Sequence, residues 1–346
     1  MNESKIIDSI DFFKFFACLG VVFIHCEFGG YPQGELFRAW GRVGVPFFFV
    51  VSGFFCFSSI GKVLAVERKK VLKKIWHITR LSLGAILFYA FFHFISFCVI
   101  GNSSIKNQCS DILSYQKLLV FLVQNSPFQY SHLWFLFALL YCYTVVLVVG
   151  NLIKGQWKVF YILLSVTVFF FVSELLPMKD CDILLFDVIK PKCLFVLRAL
   201  PFFFLGMLLK ENEEMIQKAR VTNRTLFIGV LLGFIFATIE RFTTLDSQFY
   251  FGTYITVVSI YIYCIKNPKS ISKKIEWLGR NSSLHIYITH IAVYYVLNSV
   301  FKRYHILYCI YRDWCPLIVF VVTLIMSLIY IFCKDSAKKF LLIIKC

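Results

Sequence analysis

The sequence predicts an all-α, polytopic membrane protein with about ten transmembrane helices and both termini in the cytoplasm. Hydrophobic residues make up 59% of the 346 residues, and 41 residues are phenylalanine. Only 16% are charged, and these fall in short clusters between long apolar runs. A soluble core of this size cannot hide so much apolar surface, so lipid is the expected solvent.

Ten apolar runs are each near the roughly 20 residues that an α-helix needs to cross a bilayer. The first run is the least hydrophobic, because Asp11 and Lys14 lie within it. No internal repeat or low-complexity linker interrupts the chain, so residues 1–346 are expected to form a single membrane domain without a separate soluble domain. The predicted spans are Ile10–Cys26, Val43–Ile60, Trp76–Ile100, Leu133–Val149, Lys158–Leu176, Leu194–Leu209, Thr225–Glu240, Phe249–Ile265, Ser283–Phe301 and Cys315–Cys333.

The orientation follows from the basic residues, which give the chain a net charge of +17. One set of alternate loops carries nearly twice as many lysines and arginines as the other, and the positive-inside rule places that set in the cytoplasm. Because the basic residues flank apolar runs, they predict topology and not nucleic-acid binding. The segment 61–75 contributes most to this assignment, through Arg68, Lys69, Lys70, Lys73 and Lys74.

Charged groups inside spans are costly unless they are paired or hydrated, so each is a functional candidate. In the first span, Lys14 and His25 are eleven residues apart, which places them on one helix face, separated by roughly 16 Å along the axis. Asp11 precedes Lys14 by three residues and is expected to pair with it. Two interpretations stay open: a stripe facing the bundle interior, or Asp11 and Lys14 snorkelling at the inner interface.

Two further polar segments have sequences that are typical of structural roles in membrane proteins. Ser52-Gly53 in the second span is typical of a close helix–helix contact, but the serine could also bind a ligand. His132 and Trp134 open the fourth span, a position common for interfacial anchors.

The ninth span combines a helix start with two aromatic polar residues. Asn281 and Ser282 are predicted to cap this helix, and Tyr287 and His290 share one of its faces. No paired CxxC spacing is present, so the sequence predicts no metal site.

Four motifs follow one another between residues 10 and 290, and a Pro-Phe-Phe-Phe-Leu-Gly run at 201–206 accompanies them. They are Ile10-Asp11-x-x-Lys14-x-x-Ala17 leading to His25; Gly44-Val-Pro-Phe-Phe-Phe-Val-Val-Ser52-Gly53-Phe; His132-Leu-Trp134-Phe-Leu with Tyr141 following; and Leu278-Gly-Arg-Asn-Ser leading to Tyr287 and His290.

These motifs, in this order on a ten-span plan, resemble the integral-membrane acyltransferase-3 family, which O-acylates sugars of bacterial surface polysaccharides and related acceptors. The resemblance implies an acyl-CoA donor, most commonly acetyl-CoA, that enters from the cytoplasm as a substrate and not as a bound cofactor. It also implies a sugar or polysaccharide acceptor, membrane lipids as surroundings, and a location in the bacterial cytoplasmic membrane.

The resemblance also suggests a role for each candidate residue. His25 is the expected general base, with Lys14 and Asp11 on the same stripe, and a covalent acyl-histidine step is the less favoured variant. Lys14, Lys73, Lys74 and Arg80 are expected to hold the phosphates of CoA. The expected cavity-lining residues, which would orient the thioester or stabilise an oxyanion, are Ser52, Gly53, His132, Trp134, Tyr287 and His290.

One departure from the family pattern concerns the basic segment. The family often has an arginine pair and a proline after the second span, whereas this chain has two lysine pairs, Lys69-Lys70 and Lys73-Lys74, followed by Arg80. Which of these bases takes the family's role is open.

The chief alternative is a transporter or flippase for a polysaccharide or lipid-linked sugar. Such proteins also have many spans, but they often contain inverted repeats or broken helices and need no fixed base. No repeat is visible in this sequence, so an acyltransferase is the preferred prediction.

Overall fold

The computed structural model is almost entirely helical over the residues that it describes. It covers residues 7–26, 28–30, 32–56, 58–60, 63–65, 68–100, 131–149, 162–166, 198–243 and 250–344.

Eleven helices and one hairpin can be bounded within these ranges. A 3₁₀ turn over Ser131–Leu133 leads into the fifth helix, and the two strands pair antiparallel with Ser59 opposite Leu64. The elements are α1 Asp8–His25, α2 Gln33–Gly41, α3 Gly44–Phe54, β1 Ser58–Ile60, β2 Val63–Ala65, α4 Arg68–Ile100, α5 Trp134–Val149, α6 Leu200–Glu211, α7 Glu213–Lys218, α8 Asn223–Thr243, α9 Phe251–Lys266, α10 Lys273–Phe301 and α11 His305–Ile344.

Within the described residues, four segments are long and apolar enough to cross a membrane: Arg68–Ile95, Asn223–Thr243, Lys273–Phe301 and Ile306–Ser336. They overlap predicted spans three, seven, nine and ten, so the prediction of a helical, multi-pass membrane protein is confirmed. Helices α5 and α9 are apolar but shorter. The fifth predicted span lies largely outside the described residues, which include only 162–166 of it, so the count of ten and the cytoplasmic termini stay predictions.

The second predicted span, Val43–Ile60, is wrong at its end. Helix α3 is only 11 residues long and stops at Phe54, and the residues 58–60 form the first strand of the hairpin. Apolar composition alone cannot distinguish a helix from a strand here, because β-branched and aromatic residues occur both in buried helices and in strands.

The start of α4 also differs from prediction. The third span was expected to begin at Trp76 after a basic loop, but α4 begins at Arg68 and runs for 33 residues. Lys69, Lys70, Lys73 and Lys74 therefore lie on the first turns of a helix. Lysine is a good helix former, so nothing in these residues opposes extension of the helix beyond the apolar run.

The predicted cap of the ninth span is wrong as well. Asn281 and Ser282 lie inside α10, which begins eight residues earlier, and Ser272 is the capping residue. The Ser272 hydroxyl accepts a hydrogen bond from the Ile275 N–H at 3.5 Å. The first eight residues of α10 include four charged ones, Lys273, Lys274, Glu276 and Arg280, and hydropathy therefore failed to include them in the span.

The described residues form two compact units, with the boundary inside α3. The first unit comprises Met1–Phe47 and Arg220–Cys346, and the second comprises Phe48–Ala219.

In the first unit, α1 and α10 pack along each other and run in the same direction. Asp11 contacts Arg280 near the start of both helices, and His25 meets His290 further along both. Because the residue numbers of the contacts rise together in both helices, the pair is parallel. Predicted spans one and nine therefore share one direction, as two odd-numbered spans must.

Helix α2 was not predicted, and in the first unit it packs on α1 and α8. The Trp40 indole donates a hydrogen bond to the Thr238 hydroxyl at 3.0 Å, and Arg241 pairs with Glu35. This nine-residue helix is mixed in polarity and too short to cross a bilayer, so a search for apolar runs passes over it.

In the second unit, α4 packs against α5, and α3 lies against α6. The close approach of α3 to α6 requires two glycines. A Cβ on Gly53 would overlap the main chain of α6 at Phe203. A Cβ on Gly206 would overlap the main chain of α3 at Val50. Gly53 thus serves the close packing that its sequence context indicated.

Candidate active site

The α1–α10 pair has a charged end, where both helices begin. The predicted ion pair is confirmed, because the Lys14 ammonium donates to Asp11 Oδ1 at 2.8 Å. Both side chains are largely shielded, with exposed fractions of 24% and 13%. The six residues of the charged end are Asp8, Asp11, Lys14, Lys273, Glu276 and Arg280.

Arg280 is the centre of this charged end. Its guanidinium donates to Asp11 at 2.6 Å, to Glu276 at 2.8 Å and to Asp8 at 3.0 Å. The three carboxylates and three cations balance, so the cluster carries no net charge. Sequence reasoning missed Arg280, although a glutamate four residues before an arginine is a recognisable helical pair.

Asp8 lies before the first predicted span. A hydrogen bond from Lys273, at 2.9 Å, is the main cause that holds the pKa of this carboxyl below its ordinary value of 3.8. Arg280 lowers the pKa further by hydrogen bonding and by charge, and partial burial opposes the shift. Asp8 is therefore held in its charged form by both helices of the pair.

Two histidines meet where α1 ends against the middle of α10. The ring centroids of His25 and His290 are 5.3 Å apart, with 48° between the ring planes. His25 is half-buried at the last residue of α1, whereas His290 is completely buried in α10. Tyr287, also buried, places its ring 6.3 Å from that of His290.

The tautomer of His290 follows from its own helix. Its Nδ1 lies 2.8 Å from the carbonyl oxygen of Tyr287 and 3.1 Å from that of Ile286. Carbonyl oxygens only accept, so Nδ1 carries the hydrogen and donates it. In the neutral ring, Nε2 then holds the lone pair, so this nitrogen is the one that can accept a hydrogen bond.

The stripe of α1 that the sequence singled out faces α10. Asp11, which pairs with Lys14, contacts Arg280 at one end of the stripe, and His25 contacts His290 at the other. This arrangement favours the interior interpretation over snorkelling, because the stripe packs against a neighbouring helix. A cavity that connects Lys14 to His25 stays a prediction.

In the second unit, Ser52 is occupied within α3. Its hydroxyl donates to the carbonyl of Phe48 at 2.8 Å, one turn earlier. Its own carbonyl accepts a hydrogen bond from the Tyr143 hydroxyl at 3.4 Å. The Ser52 hydroxyl can therefore accept a hydrogen bond from a ligand, but it already donates its own hydrogen within α3.

The three basic residues predicted on this unit have different surroundings. Lys74 donates to the carbonyl of Phe55 at 2.8 Å, just beyond the end of α3, and its ammonium lies 5.4 Å from the Tyr143 ring. Lys73 is exposed to solvent. Arg80 is also exposed and lies 5.8 Å from the ring of Trp76, on an exposed and largely apolar side of α4.

His132 and Trp134 do not form an exposed interfacial anchor. His132 is buried with its ring 4.6 Å from that of Tyr89 on α4. Trp134 is half-buried beneath the guanidinium of Arg198, which lies 5.4 Å from the indole ring and is itself buried. Sequence reasoning did not single out Arg198, which falls in a predicted span bordered by several bases.

Within the described ranges, no group of three or more His, Cys, Asp and Glu side chains could hold a metal ion.

The helices and the polar pairs inside them define a multi-pass membrane protein with ionisable groups in its interior. The sequence model of the acyltransferase domain of the acyltransferase-3 family matches residues 7–334, nearly the whole chain and parts of both units. The chain therefore belongs to this family and is a membrane acyltransferase. Comparison with curated proteins and with solved structures gave no significant match.

Proposed function

We propose that this acyltransferase moves an acyl group, most commonly acetyl, from cytoplasmic acyl-CoA to a sugar hydroxyl of a lipid-linked or surface polysaccharide. The carrying observation is the position of His25, a half-buried imidazole beside a second histidine in an acyltransferase chain. The protein would lie in the bacterial cytoplasmic membrane with ten spans and both termini inside.

His25 acts as the general base in this proposal. It removes the proton of the acceptor hydroxyl as the oxygen attacks the thioester carbonyl. A C–O bond forms, the C–S bond breaks, and the proton passes to the departing CoA thiolate. Imidazole suits this role because it exchanges a proton near neutral pH.

The charged end of the α1–α10 pair supports a role for Lys14 in binding the donor phosphates. Asp11 accepts hydrogen bonds from both Lys14 and Arg280. Lys14 can therefore exchange Asp11 for a phosphate oxygen without leaving a carboxylate unpaired, which would be costly in a shielded site. By the positive-inside rule, this end faces the cytoplasm, where CoA is found.

Lys73, Lys74 and Arg80 are proposed as further contacts to CoA phosphates on the second unit. Lys73 and Arg80 support this most directly, because their cationic groups are exposed. Lys74 also has a structural role, since it donates to the main chain just after α3.

The remaining candidates are proposed to line the acyl-transfer site. Tyr287 is the preferred donor to the oxyanion, because the hydrogen of His290 is bound to its own helix. Ser52, Gly53, His132 and Trp134 keep their predicted lining roles on the second unit.

The test uses purified protein in nanodiscs with radiolabelled acetyl-CoA and a polysaccharide or lipid-linked sugar. Wild type should transfer label to the acceptor, and His25→Ala should lower the rate at least about 100-fold. His285→Ala is the matched control, because His285 lies on α10 but packs against the Tyr330 ring at 4.5 Å. Unchanged transfer by folded His25→Ala would eliminate the base, and movement of sugar without consumption of acetyl-CoA would favour transport.

A further inference from the structure

A histidine that acts as a base must present a lone pair to its substrate. Neutral imidazole carries its hydrogen on one nitrogen, and the hydrogen bond made there decides which nitrogen is basic. A productive His25 therefore needs an acceptor for its N–H group on the side away from the sugar. Which residue provides that acceptor is a different question from which residue is the base.

His290 has the properties of this acceptor. The carbonyl oxygens of Tyr287 and Ile286 hold its hydrogen on Nδ1, which leaves the lone pair on Nε2. The same contacts fix the orientation of the ring relative to α10. The ring is fully buried and therefore well placed to orient another group rather than to meet the substrate.

The geometry of the pair fits this division of tasks. At a centroid separation of 5.3 Å, a ring nitrogen of His25 and Nε2 of His290 come within hydrogen-bonding range when the rings rotate so that these two atoms point at each other. His25, at the end of α1, is the more exposed of the two rings. The parallel packing of α1 and α10 brings the two rings together where α1 ends.

We infer that His290 is a positioning residue for His25: its Nε2 accepts the ring N–H of His25, so that the other nitrogen of His25 faces the acceptor hydroxyl. When His25 takes the proton, the same hydrogen bond stabilises the imidazolium. The inference deepens the proposed function and rests on it for its kinetic consequences. The tautomers of the two rings can be tested without any activity.

Two substitutions separate this role from simple anchoring of the helix. In His290→Asn, the short amide can replace Nδ1–H and donate to the carbonyl of Tyr287, but it cannot reach His25. In His290→Gln, the longer amide places an oxygen near the former position of Nε2, where it can accept from His25. If His290 positions His25, the glutamine variant should be active. If His290 only anchors its own helix, the asparagine variant should be active.

The kinetic experiment measures acetyl transfer in nanodiscs for wild type, both variants and His285→Gln. We expect His290→Asn to lower kcat about 100-fold or more, His290→Gln to stay within about tenfold of wild type, and His285→Gln to match wild type. The KM for acetyl-CoA should be unchanged in all of them. Equal activity of the two variants, or the reverse order, would overturn the inference, whereas an active His25→Ala would instead refute the proposed base.

A spectroscopic experiment covers the case in which a variant fails to fold. Solid-state NMR of wild-type protein labelled with ¹⁵N-histidine, assigned by substituting the other six histidines one at a time, reports which nitrogen of His290 carries the hydrogen. We expect His290 with protonated Nδ1 and an Nε2 that accepts a hydrogen bond, and a shift of that Nε2 signal in His25→Ala. A hydrogen on Nε2, or a signal insensitive to His25, would overturn the inference whatever the enzyme's activity.

Discussion

Arg280 on α10 donates a hydrogen bond to Asp11 on α1 at 2.6 Å, across 269 residues of sequence. The same carboxylate accepts from Lys14 within its own helix. This contact aligns the beginnings of the two helices, and further along both of them His25 and His290 come together. The charged end therefore sets the register on which the histidine pair depends.

Removal of Arg280 should loosen this alignment. Arg280→Gln is expected to lower the free energy of unfolding by about 1 kcal/mol, because the side chain is nearly half exposed and water screens its three ion pairs. Thermal unfolding in detergent checks this, with Arg303→Gln, an exposed arginine just beyond α10, as control. Equal unfolding temperatures for the two variants would contradict the proposed importance of the cluster.

Asp8 should make stability depend on acid pH. The pKa of Asp8 is lowered in the folded state. The contribution of Asp8 to the free energy of unfolding is therefore complete above the ordinary pKa of 3.8, and it is lost as the pH falls towards the lowered pKa. Between about pH 5 and pH 3, the unfolding temperature of wild type should fall more steeply than that of Asp8→Asn. Parallel curves for the two proteins would show that Asp8 does not couple folding to protonation.

Gly279 should be intolerant of a side chain. A Cβ there would overlap the carbonyl of Asp11 and come within 3.0 Å of the Phe15 nitrogen, so α1 and α10 would have to separate. Gly279→Ala should destabilise the protein by about 1–3 kcal/mol and reduce acetyl transfer.

Gly84 provides the matched control for that substitution. A Cβ on Gly84 meets no described atom within 4 Å, and alanine is the better helix former. Gly84→Ala should keep or slightly raise the unfolding temperature. If Gly279→Ala behaves in the same way, the close packing of α1 on α10 is not as described.

Lys73 and Lys74, neighbours on α4, should respond differently to substitution by methionine. Lys73 is exposed, so Lys73→Met should leave the unfolding temperature unchanged and raise the KM for acetyl-CoA up to about fivefold. Lys74→Met should lower the unfolding temperature as well, because it removes the donor to the carbonyl of Phe55. A KM that is unchanged in both variants would remove this pair from the donor site.

The Glu35–Arg241 pair should hold α2 on α8. Glu35→Arg and Arg241→Glu each place like charges together at a largely shielded contact and should cost about 1 kcal/mol. The double variant restores opposite charges and should recover most of that loss. If its loss equals the sum of the two single losses, the ion pair does not stabilise the helix.

The sequence was informative wherever the signal is local. The spacing of Asp11 and Lys14 predicted their ion pair, and the apolar runs predicted the long helices α8 and α10. It failed where composition does not reveal the backbone conformation. The residues 58–60 form a strand and not the end of a helix, and the charged start of α10 is helical although it is not apolar. Hydropathy reports the solvent around a segment and not its backbone state.

The sequence alone therefore determined the class of protein, the family motifs and the shared face of Lys14 and His25, because all three depend on composition or on spacing within one helix. Only the tertiary structure decided that α1 and α10 run in parallel, that Arg280 joins Asp11, and that His290 meets His25. These contacts link residues more than 250 positions apart, and no periodicity within a helix specifies which distant helix its polar face will meet.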